Sequence, residues 1–263
     1  MALDVTGHRV LLTGGAGAIG RVVADTLARH GATVVANDVI PVAAARELLP
    51  EGTGYVPGDC ADDAAAETLL DAAEALAGGP LDAVCCHAGI ADSHPVTSFP
   101  TDSYDRIMAT NVRAAYLLAR AAGRRWRESG RRGHLVFTTS WVQDVPWPEI
   151  APYSASKAAL RALMRSFARE LAPYGIRANA VAPGIVGVGM ARHQWDTDPG
   201  YRARAGRAIP LGELQTPESV ADAFLFLLSP MASYMTGAVL LVDGGASLYP
   251  LDGVAVTDPD AAP

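Results

Sequence analysis

Cysteine is scarce in this chain of 263 residues, and its three copies are Cys60, Cys85 and Cys86. An odd number of cysteines, two of them adjacent, does not make a disulfide framework. No cluster of potential ligands has the spacing of a zinc site. His87 follows Cys86 directly, but neighbouring residues of a strand point to opposite faces of a sheet, so we expect no metal here. The thiols in the apolar strand are expected to be buried and free.

Long apolar runs and an excess of positive charge are also missing. No stretch of about twenty apolar residues exists, so no transmembrane helix is predicted. Residues 1–12 lack the apolar segment of a secretory signal, and a cytoplasmic protein is the simplest expectation. The net charge is −7, which argues against binding to nucleic acids or anionic membranes. Half of the residues are hydrophobic, which suits one large α/β domain.

Segments typical of strands and helices alternate along the chain. Because the strands are continuously apolar, the pattern predicts a parallel sheet with helices on both faces. No linker is evident, so we expect one domain over residues 1–249 and a polar tail over residues 250–263. Residues 103–129 are predicted to form one long helix, straight or bent, whereas residues 187–207 are predicted to be irregular. Seven strands are predicted, at residues 9–13, 32–36, 55–56, 81–87, 134–139, 177–182 and 239–242.

A glycine-rich turn follows the first strand. Residues 15–20 read Gly-Ala-Gly-Ala-Ile-Gly and match G-x-G-x-x-G in the strand-to-helix context that this pattern requires. Glycines there let the backbone approach a pyrophosphate, which the amides of the helix N-terminus then face. Asp38 ends the second strand, where a carboxylate can accept hydrogen bonds from ribose hydroxyls and would repel a 2′-phosphate. The motif therefore predicts a Rossmann-type, doubly wound α/β fold that binds NAD rather than NADP.

Tyr153 and Lys157 lie four residues apart on a predicted helix and therefore share one face. An ammonium beside a phenol favours the phenolate, so the pKa of Tyr153 is expected to fall from about 10 toward neutrality. That is the requirement for a general acid/base, although such a pair taken alone is far more often part of a solvated helix face. Ser140, upstream of Tyr153, and the glycine-rich turn together favour a site for hydride transfer.

In combination these motifs resemble the short-chain dehydrogenases/reductases, from about Gly7 to Ser247. Pro-Gly after the sixth strand and Val-Asp-Gly-Gly at residues 242–245 also match that family. The resemblance implies an NAD-dependent alcohol dehydrogenase that forms a homo-oligomer, most often a tetramer. The catalytic residues that it implies are Asn111, Ser140, Tyr153 and Lys157. The residues that it implies for cofactor binding are Gly14, Gly17, Ile19, Gly20, Asp38, Asp59, Cys60, Ala88, Gly89, Tyr153, Lys157, Pro183, Gly184 and Val186.

The four catalytic residues have distinct expected roles. Tyr153 exchanges the proton of the substrate alcohol, while Lys157 favours the phenolate and bonds the nicotinamide ribose. Ser140 orients the substrate oxygen and stabilises the charge that develops on it. Asn111 is expected to hold a water that relays protons from Lys157 to solvent.

Three positions depart from the family's pattern. Ala18 stands where a glycine is usual, and a methyl group is commonly tolerated there. Cys86-His87 replaces two asparagines, which puts local support of the sheet in doubt, although His87 can supply a hydrogen bond instead. Val188 replaces a threonine that usually meets the nicotinamide amide, so a backbone group must make that contact or the cofactor is held less tightly.

The substrate pocket is expected between Ser140 and Tyr153 and in the segment that follows Gly184. Its wall is mainly apolar, which suits a cyclic or hydrophobic secondary alcohol, but polar residues nearby could equally surround a sugar or polyol. An NADP-dependent ketoreductase and a dinucleotide-binding regulator that has lost catalysis also stay open as functions. The predicted pocket residues are His94, Val142, Trp147, Ile150, Met190 and Trp195.

Overall fold

The computed structural model of the protein describes residues 3–248. Its centre is a seven-stranded parallel sheet with the strand order β3-β2-β1-β4-β5-β6-β7. The predicted α/β, Rossmann-type doubly wound sheet is thus confirmed. The predicted tail over residues 250–263 lies outside the part that the structure describes.

The strands and helices alternate as the apolar pattern predicts. The strands are β1 Arg9–Thr13, β2 Thr33–Asp38, β3 Gly54–Pro57, β4 Ala83–Cys86, β5 Gly133–Thr138, β6 Ile176–Pro183 and β7 Val239–Val242. The helices are α1 Gly20–Arg29, α2 Val42–Leu48, α3 Asp63–Ala77, α4 Thr101–Met108, α5 Ala115–Ser129, α6 Ala151–Leu171, α7 Gly189–Thr197, α8 Pro199–Ala208 and α9 Pro217–Leu228.

The apolar strands bury both of their faces, which is why they do not alternate with polar residues. Cys86 belongs to the core between the sheet and α3, α5 and α6, whereas Cys85 belongs to the core beneath α1 and α9. Both thiols are buried and free, as predicted, and the thiol of Cys60 is buried and free as well. Among the helices within residues 3–248, none is long and apolar enough to span a membrane.

Two parts of the sequence prediction were wrong. Residues 187–207 are not irregular, because they contain α7 and α8. Asp198 caps α8 by accepting hydrogen bonds from the amides of Gly200 and Tyr201, and Pro199 occupies the first turn. The short helix α2 was not predicted either, and Ala45 is its one buried residue.

The predicted long helix over residues 103–129 is interrupted by a turn that is not α-helical. A π-helical segment, Ala109–Ala114, separates α4 from α5 and contains Asn111. Such segments widen the turn and place a side chain where a regular helix would not, which occurs often at functional sites. Here the irregular turn carries Asn111 toward helix α6 and the loop after β4.

Candidate active site

A cleft of about 510 Å³ opens at the carboxyl ends of the strands. It lies near the point where β1 and β4 are neighbours and the order of the strands along the sheet reverses. That position is the switch point of a doubly wound sheet, at which such folds bind ligands. Every residue predicted to bind the cofactor lines this cleft, with one exception. Gly20 does not line it, because it packs against the carbonyl of Gly14 with no room for a side chain. Gly20 therefore packs against the backbone of the turn and does not face the cleft.

The glycine-rich turn has the shape that a dinucleotide requires. Gly14 adopts a φ of 67°, and a Cβ there would lie 2.8 Å from the Cα of Ala88. A Cβ on Gly15 would lie 2.6 Å from the Cβ of Ala36, so this turn also fits tightly against β2. Ala18, the departure from the family's pattern, also lines the cleft. The bare backbone and the start of α1 together suit a pyrophosphate.

Asp38 lies at the end of β2 on the wall of the cleft. Its Oδ2 accepts a long hydrogen bond of 3.3 Å from the amide of Ala16, and its Oδ1 accepts one of 2.8 Å from Val39. Both oxygens keep further acceptor capacity for ribose hydroxyls. No arginine lines the cleft within residues 3–248, and Lys157 is its one lysine. The residues present thus fit a nicotinamide dinucleotide.

Lys157 is buried at the far end of the cleft. Its Nζ donates a hydrogen bond of 2.8 Å to the carbonyl oxygen of Thr138 at the end of β5. The same Nζ lies 5.4 Å from the centroid of the Tyr153 ring. Burial lowers the pKa of Lys157 to about 8, because desolvation disfavours the ammonium. The lysine is therefore able to exchange its proton close to physiological pH.

The pKa of Tyr153 is shifted in the direction opposite to the one expected from the sequence. Burial raises the pKa of its phenol, and a hydrogen bond with Ser140 opposes that rise. The Lys157 ammonium lies over the Tyr153 ring and donates its hydrogen bond to Thr138. The expected lowering of the Tyr153 pKa is therefore absent from this arrangement. Ser140 itself is buried at the N-cap of the short turn Trp141–Gln143.

Asn111 is fully buried behind the cleft and does not line it. Its Oδ1 accepts a hydrogen bond of 2.8 Å from the amide of Ile90, and its Nδ2 donates to the carbonyl of Ile90 and to Ser156 Oγ, both at 3.0 Å. Gly89 is wedged between two of the catalytic candidates. A Cβ on it would lie 3.2 Å from Lys157 Nζ and 3.4 Å from Asn111 Oδ1.

His87 takes over part of the support that the two missing asparagines leave open. Its Nδ1 lies 2.9 Å from Thr138 Oγ1, and Thr13 Oγ1 accepts hydrogen bonds of 3.0 Å from the amides of His87 and Ala88. Burial, helped by the charge of Lys157, lowers the pKa of His87 to about 4, so the ring is neutral near pH 7. Thr13 and Thr138 were not predicted as site residues. The sequence feature that could have identified them is a threonine at the carboxyl end of a strand.

The predicted substrate residues are only partly brought together. Met190 lines the cleft, but Val142, Trp147, Ile150 and Trp195 do not. Those four pack instead in an apolar cluster beside the cleft, which also contains Tyr153 and Ala191. Of the predicted pocket residues the structure thus brings Met190 to the cleft and these four to the cluster beside it, and their contact with substrate stays a prediction.

His94, also predicted as a pocket residue, does not line the cleft. Its Nε2 lies 3.3 Å from a carboxylate oxygen of Asp92, and its ring packs edge-on against Phe99 at 5.3 Å. These contacts hold His94 against its own loop. Within residues 3–248, no group of three or more His, Cys, Asp or Glu side chains is arranged to hold a metal ion.

Comparison with known proteins agrees with this geometry. A family model described as enoyl-(acyl carrier protein) reductase matches residues 14–247. An L-rhamnose 1-dehydrogenase (NAD(P)+) of Azotobacter vinelandii is 37% identical over 244 residues, covering 90% of this chain and 95% of that protein. A 3beta-hydroxysteroid dehydrogenase of Eggerthella lenta is 34% identical over 253 residues, covering 94% and 96%.

Solved structures agree as well. The crystal structure of a short-chain type dehydrogenase/reductase from Mycobacterium marinum has a TM-score of 0.84 at 32% identity, covering 94% of this chain and 98% of that one. The chain therefore belongs to the short-chain dehydrogenase/reductase family and is an oxidoreductase of the alcohol dehydrogenase type.

Proposed function

We propose that the protein is an NAD-dependent dehydrogenase of secondary alcohols in which Tyr153 is the general acid/base. The observation that carries this proposal is that Tyr153 and Lys157 line a cleft suited to a dinucleotide, with Ser140 hydrogen-bonded to Tyr153. A protein that only bound the dinucleotide would have no use for a buried lysine beside a buried phenol. This geometry therefore favours an enzyme over a regulator.

A nicotinamide dinucleotide bound in the cleft accepts the hydride in oxidation and supplies it in reduction. The chain's own residues manage the proton. Ser140 donates a hydrogen bond to the substrate oxygen, while Tyr153 gives a proton to that oxygen in reduction and takes it in oxidation. Because burial raises the Tyr153 pKa, the resting phenol is already in the form that reduction needs. Oxidation needs the phenolate, so its rate should rise with pH.

Lys157 and Asn111 complete the proposed proton path. Lys157, with its pKa lowered to about 8, exchanges a proton and bonds the nicotinamide ribose. Asn111 already bonds to Ile90 and Ser156, so it holds the loop of Gly89 in place beside Lys157. A water that links Lys157 to solvent remains our proposal for the relay.

The preference for NAD over NADP rests on Asp38. Its carboxylate would bond ribose hydroxyls and repel a 2′-phosphate, and no arginine within residues 3–248 lines the cleft to offset that repulsion. Val188, the departure at the nicotinamide end, lines the cleft, and its amide already donates to the carbonyl of Val186 at 2.8 Å. Contact with the nicotinamide amide must then come from another group.

The first experiment measures NADH formation with a panel of alicyclic alcohols, steroids, sugars and polyols, repeated with NADP. Tyr153→Phe is the test variant, and Tyr174→Phe is the matched control, because Tyr174 is an exposed tyrosine outside the cleft. Loss of a general acid/base lowers turnover by roughly 100-fold to 10,000-fold, whereas the control should keep its activity. If Tyr153→Phe retained most of its activity, the assignment would be wrong. NAD binding without any turnover would favour the regulator.

We also propose that the protein is a homotetramer. A groove of about 370 Å³ between α5 and α6 is lined by Tyr116, Leu163 and Phe167 together with charged residues. A groove that places apolar side chains among charged ones on two long helices is suited to packing against a second copy. Light scattering after size-exclusion chromatography should give four times the chain mass of 27.3 kDa, and a monomer at micromolar concentration would contradict the proposal.

A further inference from the structure

Two large apolar side chains in the cleft stay exposed to solvent. Ile90 lies on the loop after β4, and Met190 is the second residue of α7, which follows β6. Both line the cleft, and 41% of Ile90 and 43% of Met190 are accessible to water. Large apolar side chains that are exposed along a concave surface are typical of a ligand site, because covering them with an apolar ligand is favourable.

The order of the strands places these side chains on two sides of the proposed reacting group. In the sheet β5 lies between β4 and β6, so the loop of Ile90 and the helix of Met190 flank the carboxyl end of β5. That end leads directly to Ser140, which is hydrogen-bonded to Tyr153. A substrate whose carbinol oxygen meets Tyr153 therefore has one apolar side chain to each side.

The sequence neighbours of both side chains pack beside the reacting pair. A Cβ on Gly89, which precedes one of them, would lie 3.2 Å from Lys157 Nζ. Ala191, which follows the other, lines the cleft and belongs to the same apolar cluster as Tyr153. The two walls thus begin next to the groups that exchange the proton.

Both walls are apolar throughout. The residues of the cleft that follow Gly89 on one side and Gly184 on the other carry neither hydroxyl, amide nor charged groups in their side chains. They are Ile90, Ala91, Val186, Val188, Met190 and Ala191. A ligand between these walls meets hydrocarbon and one thioether, to which its own hydroxyl groups cannot form strong hydrogen bonds.

The polar side chains nearest to the walls are already engaged. The Thr138 hydroxyl forms a hydrogen bond with His87, and Thr139 Oγ1 donates to a carbonyl oxygen of β6 at 3.3 Å. The acidic residues that line the cleft within residues 3–248 are Asp38 and Asp59, at or just after the ends of β2 and β3. They lie on the far side of β1 from the walls, where they cannot reach hydroxyl groups held beside β5.

We propose that Ile90 and Met190 determine specificity, so that the enzyme acts on a secondary alcohol with bulky apolar groups on both sides of its carbinol carbon and discriminates against sugars and polyols. The inference rests on the proposed function, because it names the substrate class of that same site. In oxidation the carbinol C–H bond breaks, its hydrogen leaves as hydride to NAD, and the hydroxyl proton goes to Tyr153. Apolar substituents gain by leaving water, whereas each extra hydroxyl loses its hydrogen bonds to water.

Two other roles for these side chains lead to different results. Side chains that only covered the nicotinamide would change the affinity for the dinucleotide and would affect every alcohol alike. Side chains that only supported the loops would change the stability of the protein and would again affect every alcohol alike. Contact with an apolar substrate is the role that ties their effect to the polarity of the alcohol.

The experiment compares alcohols that share a carbon skeleton and differ in their number of hydroxyl groups. The pairs are cyclohexanol with myo-inositol and 2-hexanol with D-glucitol. The test variants are Met190→Gln and Ile90→Thr, which nearly keep the size of the side chain and make it polar. Met231→Gln and Val96→Thr are the matched controls, because both residues are exposed and lie outside the cleft. Thermal unfolding of each variant verifies that it folds.

In the wild type we expect kcat/KM for the apolar member of a pair to exceed that for the polyol by at least roughly 100-fold, the discrimination typical of an added hydroxyl in an apolar pocket. Each test variant should lower kcat/KM for the apolar member by roughly 10-fold, mainly through KM, while the value for the polyol stays within about twofold or rises. The controls and the affinity for NADH should not change. Preference for the polyol in both pairs, or equal losses for both members, would overturn the proposal.

A binding readout separates this inference from the proposed function. Cyclohexanone and 2-hexanone are titrated into the protein with NAD, a mixture in which no hydride donor is present. Calorimetry should show binding with a negative heat-capacity change, the mark of buried apolar surface, and binding should weaken by roughly 10-fold in Met190→Gln but not in Met231→Gln. Such binding without turnover of any alcohol would support the apolar site and contradict the dehydrogenase. Turnover of polyols without binding of these ketones would do the reverse.

Discussion

Lys157 donates a hydrogen bond from Nζ to the carbonyl oxygen of Thr138, 2.8 Å away, and this bond ties helix α6 to the carboxyl end of β5. The hydroxyl group of Thr138 also forms a hydrogen bond with His87. One threonine therefore links the buried lysine to the histidine that replaces the family's asparagine. The buried Lys157 and the partly buried His87 therefore both bond to Thr138. The pKa values of both bases are lowered by burial, and the charge of Lys157 lowers that of His87 further.

The lowered pKa of Lys157 is the first prediction. Lys157 is the only lysine in the chain, so protein grown with ¹³C-lysine gives a single set of lysine side-chain signals. Titration of the Cε signal should give a pKa of about 8 in the folded protein, because burial disfavours the ammonium. The same signal in urea should titrate near the ordinary value of about 10.4. A folded-state pKa of 10 or more would show that the site is far better solvated than this packing implies.

Much of the cofactor end could be predicted from the sequence, and the reason is the sheet. In a parallel sheet the carboxyl ends of β1, β2 and β4 meet at one edge, so motifs that follow those strands converge whatever the details of packing. Gly14, Asp38 and Ala88 are brought together in this way. Gly20 was assigned to the cofactor because it belongs to the motif, but the sequence pattern does not distinguish a glycine that faces a ligand from one that faces backbone.

The substrate side could not be predicted to the same depth. Trp147 packs against Tyr201, a contact between distant parts of the chain that no local pattern contains. Residues 187–207 looked irregular because α7 buries none of its residues fully and has little apolar periodicity to detect. Tertiary contacts stabilise such a short helix more than its own sequence does. The Asp198-Pro199 cap of α8, by contrast, was a signal that could have been read.

His87 should make stability depend on pH below neutrality. Its pKa is about 4 when folded and 6.5 when unfolded, so between these values the unfolded chain binds the proton and the folded chain does not. Stability is therefore full above pH 6.5 and falls as pH drops toward 4. Because the ring is partly exposed to the cleft, we expect a loss of roughly 2 kcal/mol. Urea unfolding at pH 7 and pH 4.5 measures it.

His87→Asn is the control for that titration, because asparagine can keep a hydrogen bond to Thr138 but cannot take up a proton. The difference in unfolding free energy between wild type and variant should shrink or reverse as pH falls from 7 to 4.5. A constant difference across that range would mean that the histidine titrates alike in both states.

Asp38 should control the choice between the two dinucleotides. In Asp38→Asn the charge that repels a 2′-phosphate is gone, while an oxygen that can accept a hydrogen bond from ribose remains. We expect the ratio of kcat/KM with NAD to that with NADP to fall by roughly 10-fold to 100-fold, through KM for the dinucleotide rather than kcat. Asp59→Asn, at the same cleft but on the loop after β3, tests whether any acid there has this effect. Equal selectivity in wild type and Asp38→Asn would contradict the assignment.

Gly89 should affect proton transfer at Lys157 because its missing side chain leaves room beside Nζ. Its backbone is not in the left-handed region, so alanine is allowed there, but the new methyl would lie 3.2 Å from Lys157 Nζ and 3.4 Å from Asn111 Oδ1. Such contacts are tighter than usual, and the methyl also excludes water from the ammonium. In Gly89→Ala we therefore expect kcat to fall by roughly 10-fold and the pKa of Lys157, measured from the single lysine signal, to fall further. Gly206→Ala is the matched control, because its new methyl would meet only Trp195 at an ordinary 3.8 Å. Wild-type kcat and lysine pKa in Gly89→Ala would mean that the proton leaves Lys157 by another route.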